Sequence, residues 1–331
     1  MVKVAIIGVG KMGQRHLENW LQISNIDVVG IVGRDLDKLK RLAETYNTTS
    51  YLDIRSLLED QKVEIVDICL PTFLHYEAMK EVIGTDEKVS IVCEKPLCLN
   101  EDEAKAILQL SKEKDIQILV GHTLRFDPEY AFLRQQIKQG VVGEVGVVRL
   151  SRKTSFPGRW FRDNDKSGGI LLDLGIHDLD WLLWTFGDVE RVLARHIKQK
   201  DDREFDYALI ILRMKNGVIV HLELSWGESS LKSSFEIAGK EGLLVGNSDS
   251  KEPIQIATKQ PNQSSDYLPK ELVTESAIYK QLSHFKDCIV NGASPIISIE
   301  EAVKAVELAQ ATIFSARNGV PVYLAEEEVQ E

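Results

Sequence analysis

Short runs of β-branched and other apolar residues alternate with amphipathic stretches over about the first 120 residues. This alternation is the pattern of βαβ units, and the apolar runs predict strands at 2–7, 28–32, 65–70, 89–93 and 116–120. Because buried parallel strands are apolar along their whole length, these runs predict a parallel sheet that is covered by helices on both faces. The clearest helix is predicted at 101–114, and another is predicted to begin at Asp127-Pro128.

The pattern changes after about residue 144. A very apolar helix is predicted at 170–186, and long strand-like stretches follow at 189–197, 205–214, 218–226 and 235–245. Asn216-Gly217 separates two of these stretches and predicts a two-residue hairpin turn, so the second sheet should be largely antiparallel. The stretch 249–268 is predicted to be loop, and two helices are predicted at 277–290 and 299–316.

Length and composition limit the class of protein. A chain of 331 residues suits two domains, and 44% hydrophobic with 27% charged residues is typical of a soluble globular protein. The net charge of −11 argues against a nucleic-acid partner. The four cysteines form no CxxC pair, and we find neither a secretion signal nor an apolar run that could span a membrane. These features predict a cytoplasmic protein with no membrane partner.

A glycine-rich turn follows the first predicted strand directly. It comprises Gly8, Gly10, Lys11, Met12 and Gly13, and a helical pattern begins at once. Gly8 suits a tight turn, Gly10 allows the backbone to approach a pyrophosphate, and Gly13 allows the helix to pack closely on the strand. The position between a strand and a helix favours dinucleotide binding over an ordinary glycine-rich turn.

The end of the second strand bears on the choice of cofactor. An NAD site usually has an acidic residue there, whereas this chain has Gly33-Arg34-Asp35. Without that acid a 2′-phosphate can be accommodated, and Arg34 can hold it or stack on adenine, which slightly favours NADP over NAD. Alternatively, Arg34 is a solvated residue and Asp35 only caps the next helix; use of both cofactors also fits.

Several polar residues follow later strands, where ligands bind in open α/β sheets. Lys95 follows Glu94 at the end of the fourth strand and is either a crevice residue or a surface lysine. After the third strand come Pro71, Thr72 and His75, which contact the nicotinamide half of a cofactor or simply form a turn.

Two candidates for substrate binding lie further along the chain. Arg125 follows the fifth strand, where it orients a substrate or belongs to a salt-bridged loop. Trp160 lies in a loop before the apolar helix, and exposed aromatic side chains in such loops stack on sugar faces.

The apolar helix carries a polar stripe. Helical spacing places Asp173, His177 and Asp180 within roughly 60° of one another. Buried polar groups need partners, so the stripe is either a structural network or the wall of a site. A histidine between two carboxylates favours a site with an acid–base histidine over a zinc site, since no cysteine is nearby, and we predict no metal.

These motifs together resemble one family, the Gfo/Idh/MocA oxidoreductases, which include glucose-fructose oxidoreductase and inositol dehydrogenase. The residues that carry the resemblance are Gly8, Gly10, Gly13, His16, Pro71, His75, Glu94, Lys95, Pro96, Arg125, Phe126, Gly168, Gly169, Asp173, Gly175, His177 and Asp180. The Glu-Lys-Pro triplet with the later aspartate and histidine is the specific part. The missing acid at Gly33 is a departure that leaves the cofactor open.

The resemblance implies a fold and a division of labour. It implies an α/β protein with a Rossmann domain at 1–122, built on a doubly wound parallel sheet. An α/β domain with a large, mostly antiparallel open sheet follows at 123–331; it binds substrate and forms a homo-oligomer, a dimer or a tetramer. The implied catalytic residues are Lys95, Asp173 and His177. The full predicted binding sets are Gly8, Gly10, Lys11, Met12, Gly13, Gly33, Arg34, Pro71, Thr72, His75, Glu94 and Lys95 for the cofactor, and Lys95, Arg125, Trp160, Asp173 and His177 for the substrate.

The predicted function is that of an NAD(P)-dependent dehydrogenase or reductase. It would act on a secondary hydroxyl or carbonyl group of a sugar, a polyol or a similar small molecule. His177 would exchange the hydroxyl proton, Lys95 would stabilise charge on that oxygen, and Asp173 would orient His177 or bind a second hydroxyl. The alternatives are a non-catalytic dinucleotide-binding regulator and a dihydrodiol-type dehydrogenase.

Overall fold

The computed structural model describes residues 1–85, 88–199, 205–250, 254–258 and 275–324. The chain divides into two compact units, Met1–Phe126 with Glu275–Val306, and Asp127–Thr274 with Glu307–Glu331. The sequence assigned all of 123–331 to the second domain, whereas Glu275–Val306 groups with the first unit. The reason is packing, since Leu282 and Phe285 lie in the same apolar core as Trp20.

The first unit contains a parallel sheet. Within the described residues it has six strands in the order β3-β2-β1-β4-β5-β6. The strands are β1 (Val2–Ile7), β2 (Ile26–Val32), β3 (Thr49–Tyr51), β4 (Ile65–Ile68), β5 (Ser90–Glu94) and β6 (Ile118–Gly121). Five were predicted; β3 was not, because three residues of mixed polarity carry no apolar period. The strand order reverses between β1 and β4, and such a reversal opens a crevice at the carboxyl ends of those strands.

Helices cover this sheet on both faces. Those of the first half of the first unit are α1 (Lys11–Trp20), α2 (Leu36–Tyr46), α3 (Ile54–Asp60), α4 (His75–Ile83) and α5 (Glu101–Lys114). The next helix, α6 (Pro128–Lys138), belongs to the second unit. Successive residues of β1 belong to two different apolar cores, Ile6 to one and Ala5 and Ile7 to the other. The predicted sheet with two covered faces is therefore confirmed.

The second unit contains a larger sheet. Its described part has eight strands in the order β13-β12-β11-β7-β10-β9-β8-β14. The strands are β7 (Val145–Ser155), β8 (Val189–Gln199), β9 (Phe205–Met214), β10 (Ile219–Ser225), β11 (Gly227–Gly239), β12 (Gly242–Asn247), β13 (Ile254–Thr258) and β14 (Val322–Tyr323). The pairing is antiparallel apart from β7 with β10, and β9 and β10 form the predicted hairpin. The predicted class, a mostly antiparallel sheet, is confirmed.

Three details of the prediction were wrong. β7 was missed, because charged Arg152 occupies one of the buried positions of this strand and interrupts their apolar period. The stretch 249–268, predicted as loop, contains β13, and its residues 251–253 and 259–268 lie outside the described residues. The single strand predicted at 235–245 is the end of β11 and the start of β12, which a turn at Lys240-Glu241 separates.

The helix predicted at 170–186 is also two helices. After α7 (Asn164–Ser167), α8 (Gly169–Asp173) and α9 (Gly175–Phe186) meet at Leu174, whose backbone stays right-handed. The chain continues with α10 (Ala277–Asn291) and α11 (Ile299–Asn318), both of which were predicted. No helix in the described ranges combines the length and apolarity that crossing a membrane requires.

A buried ion pair fastens α9 to the second sheet. Arg152 on β7 donates from Nε to Asp178 Oδ2 at 2.6 Å and from Nη2 to Asp178 Oδ1 at 2.9 Å. Nη2 also lies 2.8 Å from the hydroxyl of Tyr130, whose pKa burial raises to about 12. Removing one partner of a buried pair costs about 3 to 5 kcal/mol, so this pair fixes the helix that carries His177.

Candidate active site

The glycine turn after β1 has the close packing that its sequence predicts. Gly8 has a φ of +100°, and a Cβ there would lie 2.8 Å from the carbonyl oxygen of Cys69. A Cβ on Gly13 would lie 1.8 Å from the carbonyl oxygen of Gly8. Both positions therefore require glycine, because strand, turn and helix touch through backbone atoms.

Gly10 differs from its two neighbours in the turn. A Cβ built on Gly10 meets nothing within 4 Å, and Gly10, at the N-cap of α1, has no side chain that could accept from the amides of the first turn. The first amides of a helix bind anions, and open space over Gly10 allows a pyrophosphate to approach them. Lys11 and Met12 form the first turn of this helix. The turn thus fits a dinucleotide.

At the end of β2, the structure gives a packing reason for the absence of an acidic residue at Gly33. A Cβ on Gly33 would lie 2.9 Å from Val9 Cγ2 and 3.2 Å from Leu39 Cδ2, so packing accounts for the missing acid. Asp35 caps α2, since Oδ1 accepts from Lys38 N at 3.0 Å, which confirms the capping alternative for Asp35. Arg34 is exposed.

A buried polar network lies behind the glycine turn. His16 on α1 places Nδ1 2.8 Å from Asp67 Oδ2 on β4 and Nε2 2.9 Å from Glu94 Oε1 on β5. Trp20 Nε1 donates to Asp67 Oδ2 at 2.7 Å, and the Cys69 thiol lies 3.5 Å from Oδ1. All of these residues are buried. Glu94, predicted to bind the cofactor, uses its carboxylate inside this network.

His16, Asp67 and Cys69 offer atoms of the types that bind metals, all within 4.8 Å of one another. The 2.8 Å between His16 and Asp67 is a hydrogen-bond distance. Two ligands of one tetrahedral zinc ion would be about 3.4 Å apart, given bonds of roughly 2.1 Å. The cluster is therefore organised as a hydrogen-bonded network.

Lys95 begins the loop that leaves β5 at its carboxyl end, and it is half-buried there. This loop is tied to the segment after β4 by His75, whose ring nitrogens lie 2.9 Å from Pro96 O and 2.8 Å from Leu70 O. Both polar atoms of His75 are thus used within the protein. Pro71 and Thr72 precede His75 on the same edge of the sheet.

Arg125 is buried rather than presented at a surface. Its Nη1 donates to Ile296 O at 2.9 Å and lies 3.1 Å from Glu301 Oε2. These contacts favour the salt-bridged alternative over a guanidinium that orients substrate.

The second unit holds the remaining predicted residues. Asp173 ends α8 and His177 lies in the first turn of α9, and both are half-buried, whereas Asp180 is fully buried. Asp173 lies just before Leu174, and His177 and Asp180 lie after it on α9. Trp160 stacks on Phe161 with ring centroids 3.9 Å apart, in a short 3₁₀ helix before α7.

Two sets of residues were not predicted as part of the site. Asp67 holds His16, and Arg152 with Tyr130 holds Asp178 next to His177. A signal existed for the carboxylates, since Asp67 interrupts a buried apolar strand and Asp178 lies in an apolar helix. A buried carboxylate requires a hydrogen-bond donor, but the position of the carboxylate in the sequence does not identify that donor.

Comparison with known families identifies the chain. Residues 2–122 match the model described as oxidoreductase family, NAD-binding Rossmann fold, and residues 134–324 match its C-terminal alpha/beta domain. The chain belongs to the Gfo/Idh/MocA oxidoreductase family. As a family member it has an NAD-binding Rossmann fold, in agreement with the strand order and the glycine turn.

Named relatives cover nearly the whole length of this oxidoreductase. It is 26% identical over 321 residues to myo-inositol 2-dehydrogenase of Thermotoga maritima, which covers 94% of this chain and 95% of that one. It is 27% identical over 344 residues to scyllo-inositol 2-dehydrogenase (NAD(+)) of Bacillus subtilis, covering 98% and 96%. A solved levoglucosan dehydrogenase in complex with NADH shares the fold with a TM-score of 0.86 at 22% identity, covering 98% of this chain and all of that one (100%).

Gly10→Ala and Gly13→Ala separate cofactor binding from folding. Gly10→Ala should unfold like the wild type but bind NADH at least roughly tenfold more weakly, because its methyl group occupies the approach to the first turn of α1. Gly13→Ala should unfold at a lower temperature, because its methyl group meets the Gly8 carbonyl. Thermal unfolding and NADH fluorescence titration measure the two effects. Wild-type NADH affinity in Gly10→Ala would contradict this assignment.

Proposed function

We propose that this family member is an NAD(P)-dependent dehydrogenase that oxidises a secondary hydroxyl group of a polyol or a sugar. The observation that carries the proposal is Lys95 at the carboxyl end of β5, in the sheet that begins with the glycine turn. Two relatives over the full chain are named inositol dehydrogenases, and inositol carries only secondary hydroxyl groups.

Each proposed catalytic residue has a distinct chemical role. His177 accepts the proton of the substrate hydroxyl group, and Asp173 orients that imidazole or binds a second hydroxyl. Lys95, as an ammonium, stabilises the negative charge that develops on the same oxygen. A nicotinamide cofactor held at the glycine turn would supply the acceptor for the hydride of the carbinol carbon. Trp160 lies next to Phe161 in the loop before α7, where the aromatic pair would offer a surface for a sugar face.

The reaction class is tested with a panel of substrates. Purified protein is incubated with NAD⁺ or NADP⁺ and a set of inositol isomers, aldoses and glycosides, and absorbance of the reduced cofactor is followed. Turnover of at least one polyol or sugar supports the proposal. Cofactor binding without turnover of any compound in the panel would favour a non-catalytic dinucleotide-binding regulator. Turnover of cyclic dihydrodiols alone would favour a dihydrodiol-type dehydrogenase.

Lys95→Met should lower kcat by roughly 10² or more and change NADH affinity by no more than a few-fold, because one charge-stabilising donor is lost from the transition state. The matched control is Lys88→Met, since Lys88 is 82% exposed and pairs with Asp115 on the surface. Steady-state kinetics and fluorescence titration measure both quantities. If Lys95→Met kept more than half of the wild-type kcat, the role of Lys95 would be wrong.

His177→Ala should lower kcat by about 10² to 10⁴, the range for loss of a general base. In the wild type, the oxidation rate should rise with pH as the base loses its proton, and this rise should be absent in the variant. The pH dependence of kcat/KM for both proteins is the measurement. An identical pH profile in His177→Ala would assign the proton transfer to another group.

The preference between NADP and NAD depends on Arg34. A charge-assisted hydrogen bond to a 2′-phosphate contributes about 1.5 to 3 kcal/mol, so we propose a preference for NADP of about 10- to 150-fold. Arg34→Ala should bring the ratio of kcat/KM for the two cofactors close to one, whereas Arg41→Ala on α2 should leave it unchanged. A wild type that prefers NAD, or an unmoved ratio in Arg34→Ala, would contradict this role.

We further propose that the protein is a cytoplasmic homo-oligomer, a dimer or a tetramer, whose protomers contact one another through the second sheet. Three large apolar residues on β9 and β10 are exposed in this sheet: Leu209, Ile211 and Ile219. Their exposure in one described chain supports an interface with a second copy. Light scattering that gives the mass of one chain at working concentrations would contradict it.

A further inference from the structure

His16 has an unusual environment for a histidine. Its two ring nitrogens face carboxylate oxygens of Asp67 and Glu94 at 2.8 and 2.9 Å, and the exposed fractions of these three side chains are 0%, 0% and 8%. Carboxylate oxygens only accept hydrogen bonds, so the ring donates on both sides when it carries both protons. The geometry is therefore that of an imidazolium between two carboxylates.

The charges in the network support one another. Burial alone would lower the pKa of His16, but the charge of Asp67 with the hydrogen bonds around the ring raises it well above its usual value. Burial alone would raise the pKa of Glu94, but the hydrogen bond and charge of His16, with the charge of Lys95, lower it. The third acid near the ring, the Cys69 thiol, has its pKa raised by burial and stays protonated.

The network links two parts of the site that are far apart in sequence. His16 lies on α1, which starts at the glycine turn, and Glu94 is the residue before Lys95. We propose that His16 is a positioning residue for the reaction: as an imidazolium it holds Glu94 against Asp67 and α1, and so fixes the end of β5 from which Lys95 projects. This inference rests on the proposed function of Lys95.

The positive charge of His16, and not only the shape of its ring, is needed to keep Glu94 ionised. His16→Gln replaces the two ring nitrogens, which face the two carboxylates from separate positions of the ring, by a single amide nitrogen that carries no charge. Glu94 would then be a buried carboxylate without its cation, and such a group takes up a proton or moves toward water. Lys95 loses the fixed negative neighbour in either case.

The kinetic test compares His16→Gln with Trp20→Phe. Trp20 is on the same helix, equally buried, and donates to the same carboxylate of Asp67, but it does not touch Glu94 through any hydrogen bond that the described residues show. His16→Gln should lower kcat at least tenfold with NADH affinity within a few-fold, whereas Trp20→Phe should lower the unfolding temperature and keep kcat within about threefold. Equal losses of kcat in the two variants would overturn the proposal.

A double-mutant cycle with Glu94→Gln identifies the route of the effect. If His16 acts through Glu94, the double variant His16→Gln/Glu94→Gln should have about the same kcat as the more impaired single variant. If the two residues act independently, the losses should multiply, and the proposal would be wrong.

Two further readouts need no turnover and therefore separate this inference from the proposed function. In ¹⁵N NMR spectra, one histidine should keep both ring protons at pH values where a solvated imidazole is neutral, and its signals should vanish in His16→Gln. The labelling of Lys95 by trinitrobenzenesulfonate, followed by peptide mass spectrometry, should be at least threefold faster in His16→Gln than in the wild type or Trp20→Phe. A titrating His16, or unchanged labelling of Lys95, would overturn the proposal even in an active enzyme. A wild type that turns over no substrate would instead refute the proposed function, and the NMR and labelling results would still decide the role of His16.

Discussion

Two carboxylates, Asp67 and Glu94, lie inside the first unit on neighbouring parallel strands, and a buried pair of this kind is stable only with donors and a cation between its members. His16 supplies both. Because His16 belongs to α1, the contact joins the helix of the glycine turn to β4 and β5. The same hydrogen-bond network thus links the turn that suits a pyrophosphate to the strand end that carries Lys95.

The second unit also contains a buried carboxylate that a cationic side chain from another element holds in place. His177 is followed by Asp178, a buried carboxylate that Arg152 holds with two hydrogen bonds from β7. Lys95 is preceded by Glu94, which His16 holds. Lys95 and His177 therefore each have a buried carboxylate as a neighbour in sequence, and each of these two carboxylates is fixed by a cation from another element. Catalytic side chains work best on rigid supports, since preorganised groups need not rearrange during the reaction.

Sequence patterns predicted the elements whose signal is local. Continuous apolar runs located five of the strands in the parallel sheet, and the glycine spacing located the turn because Gly8 and Gly13 are required by backbone contacts. β7 was missed because charged Arg152 occupies one of its buried positions and interrupts the apolar period. The partners of His16 could not be assigned from the sequence: Asp67 is 51 residues away and Glu94 is 78 residues away, and only the strand order brings them together. The packing role of Gly33 likewise depends on Leu39, which folding brings against it.

The central claim is that this member of the Gfo/Idh/MocA family moves a hydride from a carbinol carbon to the nicotinamide ring. Deuterium transfer tests it most directly. An inositol that carries deuterium on every ring carbon is oxidised by the wild-type protein, and the mass of the reduced cofactor is measured. The account predicts one deuterium in each reduced cofactor molecule, because the transferred hydride comes from the carbon that bears the oxidised hydroxyl group. Reduced cofactor without deuterium, or no reduction with any polyol or sugar, would contradict it.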